Sequence, residues 1–331
     1  MKRIILTALC ALVPLAGYAQ DEFNRLKIDS EVRADHLSGE GFTGNSLNLS
    51  VQGRISDDLT FHIKHRFNKA NSYNRYFSAT DWAYLDYRVD DNWNFSAGKQ
   101  VVALGGMEYN TAPVDMYFSS MWWAYMPCYE FGVSGSYTFA SKNDILTLQV
   151  CQSPYASLDD QKYAVNFHSV NRHGWYNGNH SFSVMQTVPD RWYAILATGN
   201  EFRFGNTAVQ ADATLRYADD HCDPLSDFTL GCQLTQTFSD EFSAFVKASY
   251  DNNGSLSDWD PVIGLDTDVW SAGLGLECYP SKYNRNIRLH AVYYHRSGDY
   301  YLIGGDSTAT VTFDQDVLNI GITWWFNFFN L

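Results

Sequence analysis

The 331-residue sequence has little positive charge, and beyond its first twenty residues it has no long apolar run. No later segment approaches the ~20 apolar residues that a membrane-spanning helix requires. In lipid, only helices and closed β-barrels satisfy all their backbone polar groups, so the chain is either a soluble protein or a barrel. Lys and Arg number 23 against 37 Asp and Glu, and the net charge is −14. This deficit argues against nucleic-acid binding, which requires a basic surface.

Cysteine is also sparse. One of the six cysteines, Cys10, lies in the first apolar stretch, and the other five are Cys128, Cys151, Cys222, Cys232 and Cys278. Their odd number and wide spacing fit neither a dense disulfide scaffold nor a CxxC metal site. We expect Cys128 and Cys151 near the same rim of adjacent strands, where they either form a bridge or are isolated small residues. The sequence predicts no metal site and no cofactor.

The N-terminus has the pattern of a secretory leader. Lys2 and Arg3 precede an apolar run over residues 4–15, and Gly17-Tyr18-Ala19 supplies small residues at the −3 and −1 positions. We therefore predict cleavage after Ala19, which leaves residues 20–331 as the mature domain.

Polar and apolar residues alternate along most of the mature chain, which is typical of half-buried strands. Val209, Ala211 and Ala213, for example, alternate with Gln210 and Asp212. Aromatics make up 16% of the chain, while mean hydropathy is mildly negative at −0.30. This combination favours a barrel with an apolar outer face, a polar lumen and aromatic girdles over a soluble sandwich.

The connections between these segments fall into two sets. One set is short and rich in turn formers, such as Asp90-Asp91-Asn92 and Ser141-Lys142-Asn143, and the other is mostly longer, as at 103–128 and 252–266. Short turns at one end and long loops at the other are the outer-membrane pattern, with the short turns periplasmic. The sequence predicts an all-β, transmembrane antiparallel barrel of sixteen strands, or fourteen, because the pattern is weakest over 171–192.

The segment from Trp82 to Asn110 resembles the phosphate-selective porin O and P family. In it, a strand, a tight turn and a second strand lead through Gly98-Lys99-Gln100 into a loop with Gly105-Gly106-Met107-Glu108. The resemblance implies a sixteen-stranded barrel, usually trimeric, whose inward-folded loops narrow a pore. The family's Pro-Phe-Gly after the Gly-Lys element is replaced here by residues 101–105, and the chain ends at Leu331 rather than Phe.

If the apolar positions of each strand face lipid, the alternate positions face the lumen. The first four strands and the fifteenth, which form one sector of a closed barrel, have basic residues at lumen-facing positions: Arg25, Lys27, Arg33, Arg54, Lys64, Arg66, Arg88, Arg288 and Arg296. This basic wall is either an anion-selectivity strip or a set of ion pairs with interleaved acids. We expect Arg33, Lys64 and Arg66 near mid-height, and Arg25, Arg54, Arg88 and Arg288 near the periplasmic mouth.

The apolar loop at 103–128 is predicted to fold into the barrel, with packing on a neighbouring subunit or an external cap as alternatives. Pro113 would begin a short helix. Glu108 and Asp115 would then face the basic wall and set up a transverse field across the pore.

The sequence therefore predicts an outer-membrane porin for passive diffusion of small polar or charged solutes. The alternatives are a substrate-selective anion channel of the phosphate type and a plugged structural barrel. No GxSxG elbow and no HxxxH pair indicates an enzyme. The predicted partners are outer-membrane lipid and lipopolysaccharide, small hydrophilic solutes or inorganic anions, and two further copies in a homotrimer.

Overall fold

The computed structural model describes residues 26–69, 77–156, 161–187, 191–218, 225–254, 262–281, 285–302 and 309–330. The predicted leader at residues 1–19, Arg25 and Cys222 lie outside these ranges. The described thiols of Cys128, Cys151, Cys232 and Cys278 are free, so the bridge between Cys128 and Cys151 is not formed.

Sixteen antiparallel strands close into a barrel in which each strand pairs with its neighbours in sequence and β1 pairs with β16. The fourteen-strand alternative is wrong, because residues 163–186 form two full strands joined by a turn at 173–175. The strands are β1 Leu26–Leu37, β2 Gly41–Arg54, β3 Leu59–Arg66, β4 Thr80–Arg88, β5 Trp93–Val101, β6 Tyr129–Thr138, β7 Asp144–Gln152, β8 Tyr163–Arg172, β9 Tyr176–Gln186, β10 Trp192–Phe204, β11 Thr207–Ala218, β12 Asp227–Ser239, β13 Phe242–Asn253, β14 Thr267–Cys278, β15 Ile287–Leu302 and β16 Ala309–Asn330.

Strand β10 shows how the alternation sorts side chains between the two faces. Trp192 and Leu196 point outward and are 47% and 45% exposed, whereas Tyr193 and Ile195 point inward and are fully buried. Successive side chains of a strand point to opposite faces, so one parity covers the outer surface with large apolar groups. The inward apolar residues of β10 depart from the expected polar lumen because a loop covers them.

Tight turns join the strands at one end of the barrel. In the turn between β4 and β5, the Asp90 carboxylate accepts hydrogen bonds from the backbone N–H groups of Asn92 and Trp93, both at 2.7 Å. This is the local bonding that makes Asp a turn former. Trp93 and Tyr137 lie beside this end, with ring centroids 5.0 Å apart, and contribute to an aromatic girdle.

Among the described residues, two short helical segments interrupt the strands, and both lie between β5 and β6. Pro113–Asp115 forms a single 3-10 turn at the predicted position, and Met121–Tyr125 forms helix α1, which the sequence did not predict. No helix in the described part of the chain is long and apolar enough to cross a bilayer.

Candidate functional site

Residues 103–128, here called the inward loop, enter the lumen and pack on its wall. Leu104, Met121 and Trp122 are 1%, 1% and 3% exposed and share one buried cluster with Tyr193 and Ile195 of β10. The predicted inward folding is therefore confirmed. Its physical cause is the apolar content of the loop, which finds an apolar strip on the inner wall.

Glycines let the loop backbone approach the wall closely. A Cβ added at Gly105 would lie 2.7 Å from the Ser181 nitrogen and 2.8 Å from the Ala197 oxygen. A Cβ added at Gly199 of β10 would clash with the Met107 nitrogen. Both contacts are with backbone atoms, so a side chain at either position would force the loop and the wall apart.

Two wall carboxylates bind pairs of backbone N–H groups of the loop. Asp212 of β11 accepts from Met107 at 2.5 Å and Glu108 at 3.1 Å. Asp251 of β13 accepts from Met121 at 2.7 Å and Trp122 at 3.2 Å. Because these donors would otherwise be buried unsatisfied, the carboxylates fix both halves of the loop.

Four wall cations bind the carbonyl side of the same loop. They donate to consecutive or alternate carbonyl oxygens between residues 114 and 119, so a stretch without regular structure has its acceptors satisfied. The bonds are Arg288 to Val114 at 3.2 Å, Arg33 to Met116 at 2.6 Å, Lys247 to Phe118 at 2.9 Å and Arg296 to Ser119 at 2.9 Å.

Each of the two loop acids contacts a basic residue, but only Asp115 meets the predicted basic wall, because the partner of Glu108 is Lys247 on β13. Glu108 lies 2.7 Å from Lys247, and Asp115 lies 2.8 Å from Arg288. Burial by itself would raise the pKa of Glu108, but the Lys247 ammonium and the Ser120 hydrogen bonds hold that pKa below its ordinary value. Glu108 is therefore ionised at neutral pH. The pairs span the space between loop and wall.

The predicted basic residues do not form an open strip, since most have an acid within salt-bridge distance. Arg33 and Asp35 are 2.8 Å apart, and the side chains of both are fully buried. The pairs on β2, β3 and β4 are Lys64 with Glu31 at 2.8 Å, Arg66 with Asp81 at 2.7 Å, Arg54 with Asp57 at 3.8 Å and Arg88 with Asp58 at 3.4 Å. Arg54 and Arg88 lie at the short-turn end. Lys27 lies 2.7 Å from Asp29, and Arg296 donates to the Ser119 carbonyl of the loop and to the Ser271 hydroxyl.

Sequence reasoning missed the three residues on β11 and β13 that hold the loop: Lys247, Asp212 and Asp251. Asp212 was assigned to the polar parity of its strand but given no role. The available signal was a charged residue at a lumen-facing position of its strand, as Lys247 and Asp251 are on β13. That signal gives the face of a side chain but not what comes to lie against it.

A cavity of about 240 Å³ remains between the inward loop and strands β11 to β15. The loop contributes Glu108, Thr111 and residues 115–118, and the wall contributes the others: Gln210, Asp212, Gly231, Cys232, Gln233, Thr235, Phe245, Lys247, Glu277 and Arg288. Charged, amide and aromatic groups converge in this cavity.

Comparisons with known proteins agree with this architecture. The profile described as phosphate-selective porin O and P matches residues 20–232. A loop-deleted form of OmpT, an outer membrane protein of Vibrio cholerae, is 12% identical with a TM-score of 0.61, covering 92% of this chain and 100% of that one.

Two further solved structures have the same fold. An anion-selective porin from Comamonas acidovorans is 11% identical with a TM-score of 0.60, and covers 92% of this chain and 99% of its own. The outer membrane channel DcaP of Acinetobacter baumannii is 13% identical with a TM-score of 0.58, at 92% and 97% coverage. No curated protein matches the sequence.

Proposed function

The chain belongs to the phosphate-selective porin O and P family, and from this premise we propose that it lets small polar solutes diffuse passively without a dedicated anion filter. As a member of this family, it is an outer-membrane channel for small solutes. The proposal concerns selectivity. We infer that the inward loop narrows the lumen, and that Arg33, Arg288 and Arg296 of the basic wall serve to hold this loop.

The observation that carries the proposal is the paired state of the basic wall. Arg33, Lys64 and Arg66 lie within 2.8 Å of acids, and Arg33 also binds the loop backbone. A cation with an adjacent carboxylate contributes a short-range dipole rather than a net positive potential, so it attracts a passing anion weakly. Passive passage also requires no catalytic group.

The test is the reversal potential of single channels in a potassium chloride gradient across a planar bilayer. We expect conductance with a reversal potential near zero or of cation-preferring sign. A strong anion preference, together with current block by phosphate, would establish the second candidate that the family's description favours, a selective anion channel. Absence of any conductance would identify a plugged barrel instead.

We also propose that the leader is removed after Ala19 and that three copies assemble in the membrane against lipid and lipopolysaccharide. The family match begins at residue 20, which supports the processing site. A solved form of the Vibrio cholerae OmpT is described as a trimer, and it has the same fold at 11% identity. Native mass spectrometry of detergent-extracted protein measures both, as the mass of the protomer and the number of copies.

A further inference from the structure

We infer that the cavity between the inward loop and strands β11 to β15 is a binding subsite for small organic cations, an ammonium group carried on a compact ring. This inference rests on the proposed passive channel, because a solute must reach the lumen to occupy the cavity. It adds a class of preferred solute that the family's description does not suggest.

The charges that line the cavity do not balance. Four carboxylates line it, those of Glu108, Asp115, Asp212 and Glu277, against the two cations Lys247 and Arg288. Each cation is in contact with one loop acid, Lys247 with Glu108 at 2.7 Å and Arg288 with Asp115 at 2.8 Å. Asp212 and Glu277 therefore leave an excess of two negative charges.

The contacts of these two acids do not neutralise that excess. Asp212 accepts hydrogen bonds from the backbone N–H groups of Met107 and Glu108, which are neutral donors. Glu277 accepts from the Tyr117 hydroxyl at 2.7 Å, and the shared Arg288 lies farther from it, at 3.5 Å. A positively charged group entering the cavity would supply the missing counter-charge.

Aromatic walls surround these charges and define the shape of the solute, and the ring faces of Tyr117 and Phe118 are already met by Arg33, at 4.7 Å, and Lys247, at 5.4 Å. Tyr117 stacks on Phe245 with ring centroids 5.7 Å apart and an interplanar angle of 8°, and Phe118 lies beside them. Apolar walls lower the effective dielectric, so a charge interaction there is several times stronger than in bulk water. The volume of about 240 Å³ admits a single-ring solute.

The two cations of the cavity already bind groups of the inward loop, so neither is free to bind an anion. Lys247 donates to the Phe118 carbonyl as well as contacting Glu108, and Arg288 donates to the Val114 carbonyl as well as contacting Asp115. To bind either cation, an anion would have to displace a loop contact and approach the two unbalanced carboxylates. The geometry therefore discriminates by charge sign at constant solute size.

Single-channel block by three solutes with the same phenol ring tests the inference: tyramine, which is cationic, tyrosol, which is neutral, and 4-hydroxyphenylacetate, which is anionic. At an ionic strength near ~0.15 M, screening still leaves contacts inside ~8 Å intact. We expect tyramine to reach half-block at a concentration about tenfold lower than tyrosol, the effect of ~1.4 kcal/mol, and 4-hydroxyphenylacetate to block least.

Variants locate the effect. Glu277→Gln keeps the size of the side chain and an acceptor for the Tyr117 hydroxyl, whereas Asp212→Asn keeps only one of the two acceptors that the loop N–H groups use. We expect each to raise the half-blocking concentration of tyramine severalfold and that of tyrosol little. The matched control is Asp86→Asn on β4, which neutralises a carboxylate that does not line the cavity and should leave tyramine block unchanged.

The outcomes separate this inference from the proposed function. Potassium chloride conductance with equal block by all three solutes, or an equal effect of Asp86→Asn and Glu277→Gln, overturns the subsite and leaves the passive channel standing. A protein that conducts no ions overturns both. Retained ion conductance in Glu277→Gln shows that a loss of block does not come from misfolding.

Discussion

The ion pair of Lys247 and Glu108 shows how one buried charge depends on its partner in this lumen. The side chains of both are about a tenth exposed, and the pair joins the wall to the inward loop. The pKa of the Glu108 carboxyl group is lower in the folded protein than its ordinary value. Such a group stabilises the fold at any pH above its ordinary pKa, and this stabilisation is lost as the pH falls through the lowered pKa. The pair should therefore persist as the pH falls through 4.5, the ordinary value for Glu.

Replacement of one partner should cost more than replacement of both. In Lys247→Met, Glu108 is left buried without its counter-charge, and removal of one partner from a buried pair typically costs on the order of 3 kcal/mol. We expect a lower thermal transition of the folded barrel on unheated SDS gels, with larger and noisier single-channel current. The double variant Lys247→Met with Glu108→Gln is the control.

Recovery of part of the lost stability in that double variant would assign the loss to the unpaired carboxylate. Equal transitions in the single and double variants would instead show that the unpaired carboxylate is not the source of the loss.

The sequence predicts which face of its strand a residue lies on, because polar and apolar positions alternate. This alternation places Arg33 on the lumen face, and the apolar content of the loop predicts that Glu108 and Asp115 lie inside the barrel. The alternation could not identify Asp212 as a loop anchor, because its partners Met107 and Glu108 lie more than a hundred positions earlier. Which wall residue meets which loop residue depends on the path of the loop across a closed barrel.

At the scale of elements, the conformation of the inward loop depends mainly on contacts with the barrel wall rather than on its local sequence. The 3-10 turn at Pro113–Asp115 has a local signal in Pro113 and was predicted. Helix α1 has only five residues, and its first N–H groups are satisfied by Ser120 and by the distant Asp251. A helix this short is unstable alone, so no local pattern could have predicted it.

Close backbone packing of the loop on β10 gives a prediction for this element. Gly199→Val would put a side chain where the Met107 nitrogen lies and should push the loop away from the wall. We expect increased conductance and faster cleavage between residues 103 and 128 by added protease. Gly231→Ala is the matched control, since its Cβ would meet only the Asp212 Cβ, at the ordinary distance of 3.5 Å.

Wild-type conductance together with wild-type protease resistance in Gly199→Val would contradict the role given to this contact. A larger conductance in Gly231→Ala as well would indicate that any added side chain in the lumen disturbs the loop.

At the scale of the whole molecule, the strand count and the antiparallel order were predictable because they follow from period-two alternation and turn residues. Strand boundaries were least predictable over residues 171–192, where the alternation of polar and apolar residues is weakest. Strand β9 begins at Tyr176, inside the region where the pattern is weak, because its outward positions include Gly178 and His180 rather than large apolar residues. Pairing with β8 and β10 over that stretch overrides the weak local pattern.

The two ends of the barrel should face opposite sides of the outer membrane. Ser38 lies in the exposed connection between β1 and β2, and Ser141 lies in a short turn at the other end. We expect Ser38→Cys to react with a membrane-impermeant maleimide on intact cells and Ser141→Cys to react only after lysis. The wild-type protein measures background from native thiols, and the reverse labelling pattern would show that the short turns face outward.

The pairing of β1 with β16 also dictates when the wall can be completed. Residues 27–37 pair with residues 319–330, so the first strand to leave the ribosome waits for the last before its outer hydrogen bonds are made. Until that moment, each extremity presents unpaired N–H and C=O groups that can capture a strand of another polypeptide. The barrel is therefore closed only when β16 has paired with β1. Until then, the unfinished sheet must be kept from pairing with other chains on its way to the membrane.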